Sequence, residues 1–274
     1  MKLKTYAVNT IGALALSAGL AGTLAVSSAS ATIISVTSSS TVLDVALSVL
    51  TIPVTVGPLY PASGVAPPPA TYSSSNGFAS FSITSGPFSL ATGLFSDTAS
   101  GNALTGGTAT SSLASFDLSV TSGPITYLAF AASAVSSTTS VHDTATSAGV
   151  NWSSTLAGAT LTVLGSSITF GTNPPTNDVI YNAGGLTITL NQVTPDRLET
   201  FGVTTDAIAI NFTGFPVVLA TSLNFVNGSI DIAQSYASEI LAPSIIPETP
   251  TWAMMLLSFA GLGFLGYRRS TRLA

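Results

Sequence analysis

From Val42 onward, apolar and polar residues follow one another in short alternating or continuous runs rather than at helical spacing, so the chain reads as a succession of strands. Val42 to Val56 is rich in Val, Leu, Ile and Thr, and Phe78 to Thr84 alternates in part. Similar runs follow at Phe88 to Phe95, Ala114 to Val120, Ile125 to Ala134, Ala159 to Leu164, Ser167 to Phe170, Asp178 to Tyr181 and Leu186 to Leu190. The last are Ala207 to Phe212, Pro216 to Ala220 and Ser229 to Ala233. β-branched residues abound and the helix formers Glu, Lys and Arg are nearly missing. Ser122-Gly123-Pro124, Asn173-Pro174-Pro175, Ala183-Gly184-Gly185 and Asn227-Gly228 punctuate the runs. Asn227-Gly228 predicts a hairpin, because both residues tolerate positive φ in a type I′ turn. The pattern predicts an all-β fold, either an antiparallel β-sandwich or an elongated β-sheet domain.

Two stretches break the rhythm. Gly57 to Gly77 carries five prolines and predicts a long loop or connector; Ala99 to Ser112, rich in Gly, Thr, Ser and Ala, predicts a mobile crossover. No fixed-period repeat is present, so a single domain is expected between the chain ends.

Both ends of the chain read as targeting segments. Lys2 and Lys4 precede an apolar, small-residue stretch from Ile11 to Val26, and Ala29-Ser30-Ala31 supplies a small-x-small site before Thr32. Residues 1–31 are therefore expected to be a signal helix, removed by signal peptidase after Ala31. At the other end, residues 247–274 begin with Pro247-Glu248-Thr249-Pro250, continue through sixteen uncharged residues from Trp252 to Tyr267, and finish with Arg268, Arg269 and Arg272. A helix over 252–267 would be roughly 24 Å long, short of a hydrocarbon core of about 30 Å. Trp252 and Tyr267 bracket it as interfacial aromatics, and the basic stop at Arg268 and Arg269 places the C-terminus in the cytoplasm. The tail is thus read as a transmembrane helix. Gly261, Gly263 and Gly266 match G-x-G-x-x-G, but the chain ends eight residues later, leaving no room for a dinucleotide-binding βαβ unit.

Composition sharpens the picture of the 215-residue body, 32–246. Its one basic residue, Arg197, faces ten acidic ones: Asp44, Asp97, Asp117, Asp143, Asp178, Asp196, Glu199, Asp206, Asp231 and Glu239, for a formal charge of −9. Such a body repels phosphate backbones, so nucleic acid is not an expected partner. The chain has no cysteine, which removes disulfides, thiolate metal sites and a lipoprotein anchor.

The tail, from Pro247-Glu248-Thr249-Pro250 through the apolar run to Arg268-Arg269, resembles the PEP-CTERM sorting domain, departing from it at Thr249 where the family has its second Pro. The same pattern bears the family label "ice-binding protein C-terminal", a name that by itself carries no ice binding. The resemblance implies export, transient anchoring in the inner membrane, recognition of Pro247 and Glu248 by an exosortase, and delivery to the cell surface or matrix of an exopolysaccharide-producing Gram-negative bacterium. The body resembles, more loosely, the choice-of-anchor P group of surface proteins. The residues concerned are Thr55 to Pro61, Ser89 to Gly93, Leu156 to Gly165, Thr205 to Phe212 and Gly228 to Ala233.

Candidate chemistry is sparse. His142 is the only histidine and lies beside Asp143, yet neighbouring strand residues point to opposite faces and no G-x-S-x-G elbow accompanies them. Calcium, which takes carboxylate and carbonyl oxygens, stays open, but no D-x-D-x-D-G loop or Gly/Asp nonapeptide repeat occurs, so a site would have to be assembled from distant Asp residues; no cofactor is expected. Asp196 and Glu199 flank Arg197 at a spacing that a glycosidase could use on a helical turn; the stronger reading is a helix start at Thr194-Pro195. Trp152, Tyr60, Tyr72, Tyr127, Tyr181 and Tyr236 are the rings that could stack on sugars, and most are expected to pack internally. The favoured expectation is an exported, non-catalytic surface or matrix protein associated with exopolysaccharide or biofilm. The alternatives are a carbohydrate-binding or adhesive module, marked by exposed aromatics clustered on one sheet, and a secreted polysaccharide hydrolase.

Overall fold

Pairing is antiparallel throughout, between strands whose successive side chains point alternately into and out of two facing layers. The computed structural model describes residues 33–49, 52–59, 61–144, 147–196, 201–219, 222–241 and 259–260. The expected signal peptide with Ala29 and Ala31, the expected sorting residues Pro247 and Glu248, and Trp252, Tyr267, Arg268 and Arg269 lie outside them. No helix among the described residues is long and apolar enough to cross a membrane.

The first layer is a seven-stranded sheet. It contains β1 (Ile33–Val49), β2 (Ile52–Val56) and β3 (Ala62–Ala66), with β15 (Asp178–Ala183), β16 (Leu186–Pro195), β17 (Phe201–Leu219) and β18 (Ser222–Leu241). The order is β15-β16-β17-β18-β1-β2, and β3 pairs with the first half of β1. The second layer contains β4 (Thr71–Phe78), β5 (Phe81–Ser85), β6 (Phe88–Thr92), β7 (Phe95–Asn102), β8 (Gly106–Leu113) and β9 (Phe116–Ser122). It continues with β10 (Ile125–Ala132), β11 (Ala134–Thr144), β12 (Ser147–Ala157), β13 (Thr160–Val163) and β14 (Ser166–Thr169). A six-stranded sheet, β14-β13-β10-β9-β6-β5, and a five-stranded sheet, β12-β11-β8-β7-β4, divide these strands.

The two smaller sheets are halves of one meander. β6 runs into β7 through Gly93-Leu94, β8 into β9 through Ala114-Ser115, β10 into β11 through Ser133, and β12 into β13 through Gly158-Ala159. Hydrogen bonds cross these joints from Gly93 N to Ser115 O (3.0 Å), Ala114 N to Leu94 O (2.7 Å) and Ser133 N to Ala157 O (2.8 Å). Each joint changes which alternate positions face inward: Phe88, Leu90 and Thr92 before one joint, Phe95, Asp97 and Ala99 after it. Side chains have a period of two, so a shift of one residue sends the whole following segment to the other face.

The facing sheet changes phase as well. Pairing lapses at the row Val42, Ala233, Ala207 and Asn191 while the register on either side is kept. Asn191 and Ala233 adopt left-handed φ of 48° and 50° there. Along β1 the buried set passes from Val36, Ser38 and Ser40 to Leu43, Val45 and Leu47. The lapse and the joints divide the interior into two halves. Between the seven- and six-stranded sheets lies an apolar core that includes Phe88, Leu90, Phe116, Leu118, Leu128, Phe130 and Leu161 against Leu43, Leu186, Ile188, Ile210 and Ile230. Between the seven- and five-stranded sheets lie Ser38, Ser40, Asp97, Ser111, Ser137, Thr139, Thr205 and Ser235, all buried.

Four local expectations are corrected. Ala99 to Ser112 is the β7–β8 hairpin, not a mobile crossover, and Gly57 to Gly77 contains β3 and most of β4. Asn227-Gly228 lies inside β18, paired with Ser48 and Leu47, rather than at a hairpin tip. The pair lies opposite a bulge in β17: the β17–β18 register shifts between Phe212 and Phe215, Gly214 and Gly228 adopt φ of 65° and 124°, and Asn227 Oδ1 accepts a hydrogen bond from Gly214 N at 2.8 Å. Thr194 and Pro195 end strand β16 opposite Thr204 and Val203, so no helix starts at Thr194-Pro195.

Candidate binding face

The outward positions of the five-stranded sheet form a grid of hydroxyls. Ser75, Thr98, Thr110, Thr138 and Ser153 occupy one row across the five strands; Ser73, Ser100, Thr108, Ser140 and Asn151 occupy the next. Gly77, Ser96, Ser112, Ser136 and Thr155 make a third. Strands spaced about 4.8 Å apart, with same-face residues about 6.8 Å apart along each strand, set the mesh of this grid. Cross-strand bonds hold parts of it, with Thr110 Oγ1 and Thr138 Oγ1 at 3.2 Å and Ser136 Oγ and Thr155 Oγ1 at 2.6 Å. No residue of the three rows carries a charge. His142 flanks them on β11, its Nδ1 3.4 Å from Asn151 Nδ2.

The inward side of the same strands ties this face to the seven-stranded sheet. Ser40 Oγ donates to Thr98 O (3.1 Å) and Ser111 Oγ to Thr41 O (3.1 Å), bonding the five-stranded sheet to β1. Ser137 Oγ donates to Ser235 Oγ (2.9 Å) and Thr139 Oγ1 to Thr205 Oγ1 (2.8 Å), bonding it to β18 and β17. At the β4 edge, Gly64, Gly101 and Gly107 leave room for the Tyr72 ring, which a Cβ at Gly64 or Gly101 would strike. Tyr72 OH sits 2.6 Å from Ser38 Oγ, and burial pushes its phenol pKa up.

Asp97 lies among these hydroxyls with no solvent exposure, and neither carboxyl oxygen has a hydrogen-bond partner of good geometry. Burial pushes its pKa up to about 6, against the opposing pull of the nearby Ser111 hydroxyl, Val42 amide and Ser40 hydroxyl. Neither hydroxyl satisfies it, since both donate to main-chain carbonyls instead. On the side of the seven-stranded sheet away from the core, Asp44 and Asp231 are direct cross-strand partners. Burial and then repulsion from Asp44 raise Asp231 to about 6. Burial raises Asp206 to about 7; its hydrogen bond from Gln234 Nε2 (2.8 Å) opposes that rise and Asp231 adds to it.

These positions revise the reading of the acidic composition. Asp97, Asp206 and Glu239 are buried, so the negative charge is not spread evenly over the surface. Asp196 is drawn to the fold by Tyr236 OH, which donates to its Oδ2 at 2.8 Å, while Arg197 and Glu199 lie outside the described residues. The side chain of Asp143 and Tyr60 also lie outside them. Among the described residues no three His, Cys, Asp or Glu side chains are grouped to hold a metal. Tyr127 is buried, Tyr72, Tyr181 and Tyr236 are partly buried, and the exposed rings Trp152, Phe78 and Phe225 sit on three different strands. The six-stranded sheet offers a shallow trough of about 220 Å³ around Asp117, lined by Ser89, Ala91, Ser119, Ala129 and Ala131.

The hydroxyl grid was missed in the sequence because Ser and Thr serve equally as loop residues, and the alternation that marks a strand disappears when its inward positions are also Ser, Thr or Ala. Comparison with protein-family models, with curated proteins and with solved structures gives no match.

Proposed function

We propose that this chain is an exported, non-catalytic protein of the cell surface or extracellular matrix that associates with exopolysaccharide through the outer face of its five-stranded sheet. The observation that supports the reading is the uncharged grid of hydroxyls centred on Thr98, Thr110 and Thr138. A neutral polysaccharide presents the same chemistry, hydroxyls that both donate and accept, and a rigid sheet meets it without ordering many side chains. Stacking on aromatic rings, the usual grip of a compact sugar-binding module, has less support, because the exposed rings are dispersed. A hydrolase has less support: it would need two carboxylates flanking a cleft, and the raised carboxyls that lie near one another, Asp206 and Asp231, sit on the adjacent strands β17 and β18 of one sheet rather than on two facing walls.

Delivery rests on the sequence of the chain ends: signal peptidase removes residues 1–31, the apolar segment 252–267 holds the chain in the inner membrane, and an exosortase acts at Pro247-Glu248. The deciding experiment is retention of the secreted protein on the host's exopolysaccharide. Thr110→Lys with Thr138→Lys, which plants two long cations in the grid, is expected to cut retention at least tenfold; unchanged retention would remove this face from the reading. Processing is tested separately. Secreted protein should begin at Thr32, and Glu248→Ala should leave an uncut, membrane-retained form.

A further inference from the structure

The sandwich has two unlike ends. At one, Ile33 pairs with Leu241, Glu239 and His142 lie in the strand segments approaching it, and Asp196 follows the end of β16. At the other end are the turns Ser85-Gly86-Pro87, Ser122-Gly123-Pro124, Leu164-Gly165 and Gly184-Gly185, with the strand ends Val49 and Leu219. Residues 45–96, 118–141, 144–177, 179–195 and 207–230, which supply these turns, contain no Asp, Glu, Lys or Arg.

That distal end carries a bare apolar ribbon. Pro216 pairs with Phe225 and Val218 with Leu223. β16 reaches only Phe212, and β1 stops at Val49 opposite Val226. Among the described residues, then, no strand flanks either side of the ribbon. Its inner face is fixed: Phe215 and Val217 are buried, and Val218 N donates to Tyr127 OH at 3.1 Å. Leu164 N donates to Tyr127 O at 3.1 Å, which sets the Leu164 turn beside it. The outer face is open, with Val218 40%, Leu223 59% and Phe225 51% exposed.

We propose that this uncharged distal end, centred on Val218, Leu223 and Phe225, is a contact surface for a second copy of the chain, the two meeting end to end about a two-fold axis. Charge selects the orientation. Two bodies of net −9 repel, but an end-to-end contact joins the regions free of charge and keeps Glu239, roughly 40 Å along β18 from Val226 at the usual strand rise, well beyond a screening length of about 8 Å from the contact. Unpaired ribbon edges favour protein over lipid, because main-chain N–H and C=O groups left open in hydrocarbon are costly, whereas an identical ribbon can pair with them. An anionic lipid surface would also call for basic residues, and the body has only Arg197. If the termini tether the chain as proposed above, the contact would bridge two tethered molecules; the contact itself does not depend on that reading.

The absence of cysteine makes the test positional. Leu223→Cys and Phe225→Cys, introduced singly into the full chain under mild oxidation, are expected to yield at least tenfold more disulfide-linked dimer than Thr138→Cys on the hydroxyl face. Val218→Asp with Leu223→Asp should leave the thermal transition in place and make the protein sediment as a monomer. Dimer no more abundant than with Thr138→Cys, capture of the distal cysteines only by another protein, or retention on vesicles without self-association would each overturn the proposal. A chain that is never exported but still cross-links through Leu223 would sink the surface location and leave the contact standing.

Discussion

The six-stranded sheet meets the seven-stranded sheet through Phe116, Phe130 and Leu161, whereas the five-stranded sheet meets the same partner through Ser137, Thr139 and Asp97, with apolar contacts beside the joints (Phe95, Leu113, Val135, Leu156) and a small apolar cluster of Ile33, Val36, Val141 and Ala237. The two halves share strands and main-chain ladders, so the difference lies in what the inward side chains contribute. In the apolar half each fully buried Phe or Leu adds about 1.5–3 kcal/mol by leaving water, with no demand on direction. In the hydroxyl half each bond adds a net of about 1 kcal/mol and only in the right geometry, and an unpaired group costs as much or more. The apolar half thus supplies cohesion, while the hydroxyl half trades cohesion for a fixed alignment of the sheet whose outer face is the proposed binding surface.

This contrast can be broken most forcefully in the apolar half. Phe130→Ala removes a ring lying 6.0 Å from Phe116 and 6.3 Å from Phe170, and is expected to cost about 3–5 kcal/mol in chemical denaturation. A loss below 1 kcal/mol would show that the two halves do not differ as argued.

Asp97 probes the other half through pH. Its folded pKa of about 6 lies above the ordinary carboxylate value of 3.8, so the folded state binds the proton more tightly and stability falls as pH rises through that window. Asp97→Asn cannot ionise; its stability relative to wild type should grow by about 2 kcal/mol between pH 4.5 and pH 8 in parallel urea titrations. A pH-independent difference would mean that the carboxyl is already satisfied. Asp206 and Asp231, also raised, act in the same direction in both proteins, so the comparison isolates Asp97.

Smaller effects sharpen the account. Thr139→Val keeps the shape but deprives Thr205 and Ser235 of a partner, and is expected to cost about 1–2 kcal/mol. Tyr72→Phe, which removes only the hydroxyl beside Ser38, should cost about 1 kcal/mol with no change in the denaturant slope.

Legibility followed the same division. The strands β5, β6, β9, β10, β13 and β14 of the six-stranded sheet fall in runs recognisable from Phe88, Leu118, Phe130 or Leu161. The strands β7, β8, β11 and β12 do not, because positions such as Asp97, Ala109, Ser111, Ser137 and Ser154 face inward without being apolar. Phase changes at Gly93-Leu94 and Ser133 hide the continuity further, since alternation read across them cancels. Asn227-Gly228 misled for a related reason: positive φ at a bulge and at a hairpin leave the same residue signature.

What the sequence determined by itself is the class of structure and the unusual placement of charge. β-branched strings without helix formers admit little besides sheets, and stretches such as 45–96 are uncharged in any fold. Only the tertiary structure decided which hydroxyls are buried and which form the outer grid, and that the uncharged turns gather at one end. A Ser or Thr has nearly the same local preference on either face of a strand; the side it takes depends on the sheet that packs against it and on the phase its strand has reached.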